Sequence, residues 1–397
     1  MRAKLCCVAG EDSHLRMPYF DRMRDLGFDV SVVSSNSGEA FEKAEIPHFS
    51  YTLPRFINPF GNLRSLYTLV RWIKRHRPDI VHGFDTKPSL LAPMAVSLAG
   101  SGAAIRTING MGYLFSSEAL MARALRPAYR ALQRSVAGAT AMTVFQNQDD
   151  HRYFLERRLV APERSVVVPG SGIDVAAWDR DLPSDEQRDR LRRDLGLEGK
   201  IVITMVSRLT THKGVLVLLD AARRLFQRHP NVIVLLVGPL ESEGPFAVKK
   251  QAIDGCKEFV RWLGLRKDVP ALMGASDIFA FPSAYREGIP RVLLEAGLTR
   301  LPIVTSTRPG CTDVVKDGET GLLVPPHDVA ELELALERLV LDSELRQTLG
   351  ARVRRHIVEG FSMDDVVQAY CRLYETLLVA DRQTFGRSAL VQSKSLP

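Results

Sequence analysis

Short runs of apolar, β-branched residues alternate with amphipathic helical stretches along almost the whole of this 397-residue chain, and that alternation most limits what it can fold into. In the first half the apolar runs fall at residues 4–9, 28–34, 79–83, 104–108, 142–146 and 165–168. In the second they fall at 200–206, 232–237, 260–263, 277–281, 303–305 and 321–324. Helical spacing fills intervals such as 17–26, 62–77, 119–137, 215–227, 291–299 and 329–341. Strands apolar on both faces and separated by helices belong to parallel sheets covered on both sides. There are too many for one typical sheet. The expected fold is α/β, with two doubly wound, Rossmann-like parallel-sheet domains facing a cleft.

The first domain is expected over 1–172, ending at Pro169-Gly170-Ser171-Gly172, and the second over 185–360. The charged stretch 178–197 reads as linker plus an exposed helix. A last helix at 363–379 is set off by Gly360, and the patternless 386–397 is expected to be disordered. With 45% hydrophobic and 25% charged residues, the chain is no disordered tail, collagen-like fibre or small disulfide scaffold. Its longest apolar stretch, 88–105, is broken by Pro93, Gly100 and Gly102, whereas a spanning helix needs about 20 clean apolar residues. The apolar run at 5–9 is too short for a signal peptide, so a cytoplasmic location is expected. The five cysteines include no C-x-x-C pair, which argues for buried free thiols rather than zinc or dithiol chemistry.

The net charge of +7 is unevenly placed: residues 1–180 hold 23 Lys and Arg against 17 Asp and Glu, and 50–134 alone hold 12 against 3. A basic face fits nucleic acid, an anionic membrane or a phosphorylated substrate. No nucleic-acid motif accompanies it, so nucleic acid is set aside.

In open parallel sheets ligands sit beyond the carboxyl ends of the strands. The strongest constellation there is Phe281-Pro-Ser-Ala-Tyr-Arg-Glu287-Gly288-Ile289-Pro290-Arg-Val-Leu-Leu-Glu295-Ala296. A strand ends at Phe281, Gly288 admits close backbone approach, and a helix opens near Pro290 with free N–H groups that suit an anion. Glu287 and Glu295 project to different parts of one elongated ligand, and carboxylates suit sugar or ribose hydroxyls. The plainer alternative is a cap at Glu287 and a solvated Glu295. The second constellation is Ser207-Arg208-Leu209 with Lys213-Gly214, two cations between a strand end and a helix start, which suit a diphosphate or make a solvated basic loop.

Together these residues resemble the retaining glycosyltransferases of family 4, whose two-domain fold is called GT-B. The resemblance extends to Gly170-Ser-Gly-Ile-Asp174, to Asp313…Asp317-Gly-Glu-Thr-Gly321-Leu-Leu-Val-Pro325 and to the final helix, which in that fold crosses back to the first domain. It implies that Arg208 and Lys213 hold the donor diphosphate, Glu287 contacts the donor sugar and Glu295 binds the ribose hydroxyls. Gly288, Ile289 and Pro290 would form the donor-binding turn, with N–H groups of the first two neutralising the leaving group. A UDP-sugar is favoured over a GDP-sugar, and no metal cofactor is expected; Asp179-Arg180-Asp181 lies in the linker rather than after a strand. Gly10, after the first strand, would admit a substrate to the backbone.

In the first domain, Asp85-Thr86-Lys87-Pro88-Ser89, Asn109-Gly110-Met111-Gly112-Tyr113 and Phe145-Gln146-Asn147-Gln148-Asp149-Asp150 each follow a strand. They resemble bacterial enzymes that build polysaccharides on polyprenyl-diphosphate-linked sugars, which implies acceptor-binding roles for Lys87, Asn109 and Asn147. Asn109 stands where many family members carry a histidine, and Asn-Gly also suits a plain turn. His14 and His82 are read as core or cleft residues without a role.

The stretch 62–77, from Asn62 to Arg77, mixes Arg64, Arg71, Lys74 and Arg75 with Tyr67 and Trp72. The stretch 119–137, from Ala119 to Ala137, aligns Arg123, Arg126, Arg130 and Arg134 on one face, with Pro127 expected to kink or interrupt it. Both suit an anionic membrane surface, or ordinary helices with a solvated face. The reading is a retaining glycosyltransferase, peripheral on the inner face of the cell membrane. It would move a hexose or N-acetylhexosamine from a nucleotide sugar to a polyprenyl-diphosphate-linked sugar or another cell-surface glycan precursor. The alternatives are an epimerase of the same fold, against which the paired glutamates argue, and a non-catalytic nucleotide-sugar-binding scaffold.

Overall fold

A computed structural model describes residues 2–54, 58–116, 120–241, 244 and 246–393, and the side chains among them except those of 113, 114 and 381–393. The chain forms two units, one of residues up to Gly172 together with those from Met363 on, the other Ile173–Ser362.

The first unit is built on β1 (Lys4–Ala9), β2 (Asp29–Ser34), β3 (His48–Ser50), β4 (Ile80–Gly83), β5 (Ala103–Ile108), β6 (Met142–Phe145) and β7 (Ser165–Val167). They form one sheet in the order β3-β2-β1-β4-β5-β6-β7, parallel throughout. The edge strand β3 has no counterpart in the sequence reading, because three residues, two of them exposed, carry no usable periodicity. The second unit holds β8 (Ile201–Val206), β9 (Val232–Val237), β10 (Val260–Trp262), β11 (Ile278–Phe281), β12 (Ile303–Ser306) and β13 (Leu322–Val324). Their order is β10-β9-β8-β11-β12-β13, again parallel. In each sheet the chain starts near the centre, winds outward one way, then returns and winds the other. The loops on either side of the reversal leave in opposite directions and open a crevice. Those reversals lie between β1 and β4 and between β8 and β11.

The two-residue period of a strand decides the packing. Leu5, Cys7 and Ala9 face one side of the first sheet, with Phe20, Met23, Tyr370 and Tyr374; Cys6 and Val8 face the other, with Leu69, Ile73 and Val96. Adjacent Cys6 and Cys7 thus point apart, and all five cysteines are buried and free. His82 belongs to the core: Nδ1 meets the Tyr374 hydroxyl at 2.6 Å and Nε2 the Thr107 hydroxyl at 2.7 Å. Burial pushes its pKa well down, so it stays neutral. The final helix supplies those tyrosines and runs Met363–Ser393, longer than the expected 363–379. Its backbone is helical over 386–393, part of the 386–397 stretch expected to be disordered; 394–397 lie outside the described residues. Helix Leu120–Gly138 likewise contains Pro127 without a break, and Ala119 lies outside the described residues.

Candidate functional site

In the second unit, the loops that leave β8 and β11 meet at the reversal. Lys213 Nζ, at the foot of helix Val215–Arg228, lies 2.5 Å from Glu287 Oε1, and both side chains are mostly buried. Ser283 Oγ donates to the same carboxylate oxygen at 2.9 Å. The ammonium also stands 5.3 Å from the centre of the Phe281 ring and 5.6 Å from that of Tyr285, within cation–π range. Arg208 is more exposed and lies 3.8 Å from Glu241. Helix Arg291–Leu298 begins just beyond, with Pro290 in the cap position rather than inside the helix. One turn on, Glu295 Oε1 accepts from Arg291 Nε at 2.9 Å. Burial raises the Glu295 pKa and the Arg291 charge offsets part of the rise. Glu295 is therefore no solvated helix residue, and Glu287 is tied to a cation.

Two glycines let the loops close on one another. A Cβ on Gly214 would sit 2.1 Å from the Pro282 carbonyl oxygen, and one on Gly310 would sit 2.0 Å from that of Gly288. Gly310 precedes helix Cys311–Val314 and has no counterpart in the sequence reading, because the contact joins loops after β11 and β12. His212 was also missed. Its ring packs against Phe246 and Tyr285, with ring centres 4.1 and 4.8 Å away. Burial and the charges of Lys213 and Arg208 push its pKa down to about 3, so it is neutral at physiological pH.

The first unit has its own polar cluster at the β1/β4 reversal. Asp85, at φ 69°, is its hub. Its Oδ2 accepts from the Gly10 N–H at 3.0 Å, and its Oδ1 accepts from Asn109 Nδ2 at 2.9 Å and Arg16 Nη2 at 3.3 Å. Arg16 also donates to Ser171 Oγ at 3.1 Å and lies 4.5 Å over the Phe84 ring. Gly10 and Asn109 are thus brought together. Lys87 and Asn147 are not. The Lys87 ammonium donates to the Pro54 carbonyl and reaches Asn62 Oδ1 at 3.4 Å, and burial lowers its pKa. Asn147, 1 % exposed, caps helix Gln148–Glu156 by accepting from the Asp150 N–H at 2.8 Å. Asp179 of the Asp-x-Asp sequence is held by Arg354 at 2.7 Å.

Two doubly wound parallel-sheet domains in one chain, each with its polar cluster at the reversal of strand order, define the GT-B fold of glycosyltransferases. Solved structures agree on that fold. A glycosyltransferase from Rickettsia africae superposes with a TM-score of 0.76 at 19% identity, covering 95% of this chain and 99% of its own. The Anabaena protein HepE, crystallised with UDP, superposes with a TM-score of 0.75 at 20% identity, covering 95% and 100%. The family model described as Glycosyltransferase Family 4 matches residues 20–176, and that described as Glycosyl transferases group 1 matches 187–356. The chain belongs to this family of glycosyltransferases. Among its relatives is the Escherichia coli UDP-Gal:alpha-D-GlcNAc-diphosphoundecaprenol alpha-1,3-galactosyltransferase, 28% identical over 91% of this chain and 92% of the relative. Another is the Campylobacter jejuni N,N'-diacetylbacillosaminyl-diphospho-undecaprenol alpha-1,3-N-acetylgalactosaminyltransferase, 23% identical over 92% and 96%.

Proposed function

We propose that this glycosyltransferase moves a hexose or N-acetylhexosamine, with retention, from a UDP-sugar to a sugar carried on a polyprenyl diphosphate. The Lys213–Glu287 pair beside the head of helix Arg291–Leu298 carries the reading: it sets a cation, a carboxylate and a helix N-terminus within one loop cluster. Lys213 and Arg208 take the donor diphosphate, Glu287 a hydroxyl of the donor sugar, and Glu295 the ribose hydroxyls. As the bond from the anomeric carbon to the phosphate oxygen breaks, charge gathers on the diphosphate, where the two cations and the N–H groups of Gly288 and Ile289 meet it. The acceptor oxygen bonds to the same face of that carbon, and its proton passes to the departing phosphate oxygen. No metal is needed for this neutralisation. The acceptor class follows the two relatives, each named for a diphosphoundecaprenol-linked acceptor.

Such an acceptor places the enzyme at a membrane, on its inner face where nucleotide sugars are available. No described helix is long and apolar enough to cross one. Two helices of the first unit supply the contact. On Pro59–His76, Phe60 (87 % exposed), Leu63 and Tyr67 point outward beside Arg64, Arg71 and Lys74. On Leu120–Gly138, Leu120, Met121 (76 % exposed), Leu125 and Leu132 are exposed with Arg123. Arg130 and Arg134 of that helix instead bond within the protein, to the Tyr153 hydroxyl and to the carbonyls of Arg157 and Arg158. The contact is therefore more apolar than the arginine spacing implies, with cations alongside, as suits an interfacial helix.

The test is transfer by purified protein from a panel of UDP- and GDP-sugars, with membrane extract as acceptor source, with and without chelator. Chelator-resistant transfer of one UDP-sugar into the lipid fraction is expected. Transfer only to water-soluble acceptors would remove the lipid-linked acceptor, and chelator-abolished transfer would remove the metal-free mechanism.

A further inference from the structure

A lysine side chain is long and flexible, so holding its ammonium on one carboxylate requires that its backbone be fixed. The residues on either side of Lys213 do this. After it, Gly214 packs so closely on the Pro282 carbonyl that a Cβ would overlap it. Before it, His212 is fixed twice: its carbonyl accepts from the Ala284 N–H at 2.9 Å, and its ring packs against those of Phe246 and Tyr285. These two rings belong to the loops after β9 and β11, so three loops meet at His212. Backbone bonds follow the same seam. The Leu209 N–H donates to the Pro239 carbonyl at 2.8 Å, the Glu241 N–H to the Leu209 carbonyl at 3.2 Å and the Thr211 N–H to the Phe246 carbonyl at 3.1 Å.

The ring is held by packing. Its Nδ1 is buried without a hydrogen-bond partner. Phe246 meets it edge to face, with 61° between the planes and 4.1 Å between the centres, and Tyr285 lies tilted by 45° at 4.8 Å. Tyr285 in turn stands 5.6 Å from the Lys213 ammonium, and its N–H donates at 3.3 Å to Ser283 Oγ, the hydroxyl that also bonds Glu287. The aromatic group thus reaches both members of the Lys213–Glu287 pair. A protonated imidazole would be a third cation in this loop; burial and the charges of Lys213 and Arg208 keep the ring neutral. We propose that His212 is a positioning residue for the donor diphosphate: wedged between Phe246 and Tyr285, it ties the loops after β8, β9 and β11 together and holds Lys213 where the diphosphate is met. This rests on the donor site proposed above, and His212 itself touches no substrate.

The experiment compares His212→Ala, His212→Gln and His212→Phe by thermal melting, by calorimetric titration of UDP and by initial rates with a UDP-sugar. Phenylalanine keeps an aromatic ring and gives up a Nδ1 that has no partner. His212→Phe is therefore expected to keep UDP affinity and donor kcat/KM within about threefold of wild type. Alanine empties the wedge, and glutamine fills it without an aromatic face. Each should weaken UDP by about three- to tenfold and lower donor kcat/KM by about tenfold or more, with the acceptor KM unchanged. Phe246→Leu should weaken UDP in the same direction and add little when combined with His212→Ala. If His212→Ala does not fold, His212→Gln and Phe246→Leu decide the matter. Wild-type UDP affinity and turnover in the folded His212→Ala or His212→Gln variant would overturn the proposal. A His212→Phe variant as defective as His212→Gln would also overturn it, by assigning the role to a ring nitrogen. A wild type that binds no UDP would sink the donor site itself, a result distinct from either.

Discussion

The two units repeat one device in different surroundings. In each, a cation after the first central strand meets a carboxylate after its neighbour: Arg16 and Asp85 at 3.3 Å in the first unit, Lys213 and Glu287 at 2.5 Å in the second. The second unit adds Arg208 and Arg291, each facing a carboxylate of its own, Glu241 at 3.8 Å and Glu295 at 2.9 Å, and the head of helix Arg291–Leu298. Around Arg16 the additional groups are neutral: Asn109, Ser171 and the Gly10 N–H. The same crevice geometry thus carries a helix N-terminus and two further ion pairs in one unit and neutral polar groups in the other, and the diphosphate proposed above belongs to the first of these.

The sharpest way to break this contrast is to remove the cation from the second unit. Lys213→Ala is expected to lower kcat/KM by about 10²–10³, the range for losing one preorganised group that meets transition-state charge. Gly310→Ala comes next. Its Cβ would press on the Gly288 carbonyl oxygen and on Glu287, whose Cβ lies 3.0 Å away. Turnover should fall at least tenfold, and an active variant would show that the loop contact is dispensable.

Glu295 sharpens the contrast through pH. Its folded pKa is raised, chiefly by burial. As a raised carboxyl, it adds stability at pH below its unfolded pKa, and that contribution is lost as pH rises through the folded value. Ribose binding runs the other way, since the carboxylate is the acceptor. UDP affinity should therefore weaken on acidification at pH values already above the ordinary glutamate range, and Glu295→Gln should be weaker throughout and flat across it. A parallel pH response in the variant would assign the titration to another group. The smallest effect is expected at the surface: Phe60→Ser with Met121→Ser should reduce binding to vesicles containing anionic lipid several-fold. Activity on a soluble acceptor should be unchanged, as sedimentation with the vesicles and a rate assay would show.

What the sequence made legible follows from how far apart the cooperating residues lie. Glu287, Gly288 and Glu295 sit in one loop–helix segment, so their proximity could be read directly, and the strand runs were visible because buried parallel strands are continuously apolar. The cluster at the first reversal gathers Gly10 and Arg16, Asp85, Asn109 and Ser171 from four separate segments, and nothing contiguous announces it. Lys87 and Asn147 were chosen for their positions after strands, but position does not reveal whether a polar group is already engaged within the chain. Helix Leu120–Gly138 shows a similar limit. Periodicity separates its faces, but only the structure reveals that Met121, Leu125 and Leu132 face outward.

The most direct measurement is calorimetric titration of UDP into wild type, Lys213→Ala and Asp85→Asn. The account predicts that Lys213→Ala loses at least about tenfold in affinity, as expected for a charge-assisted contact, while Asp85→Asn stays within twofold of wild type. Unchanged UDP binding by Lys213→Ala, or a comparable loss in Asp85→Asn, would contradict the assignment of the diphosphate to the second unit.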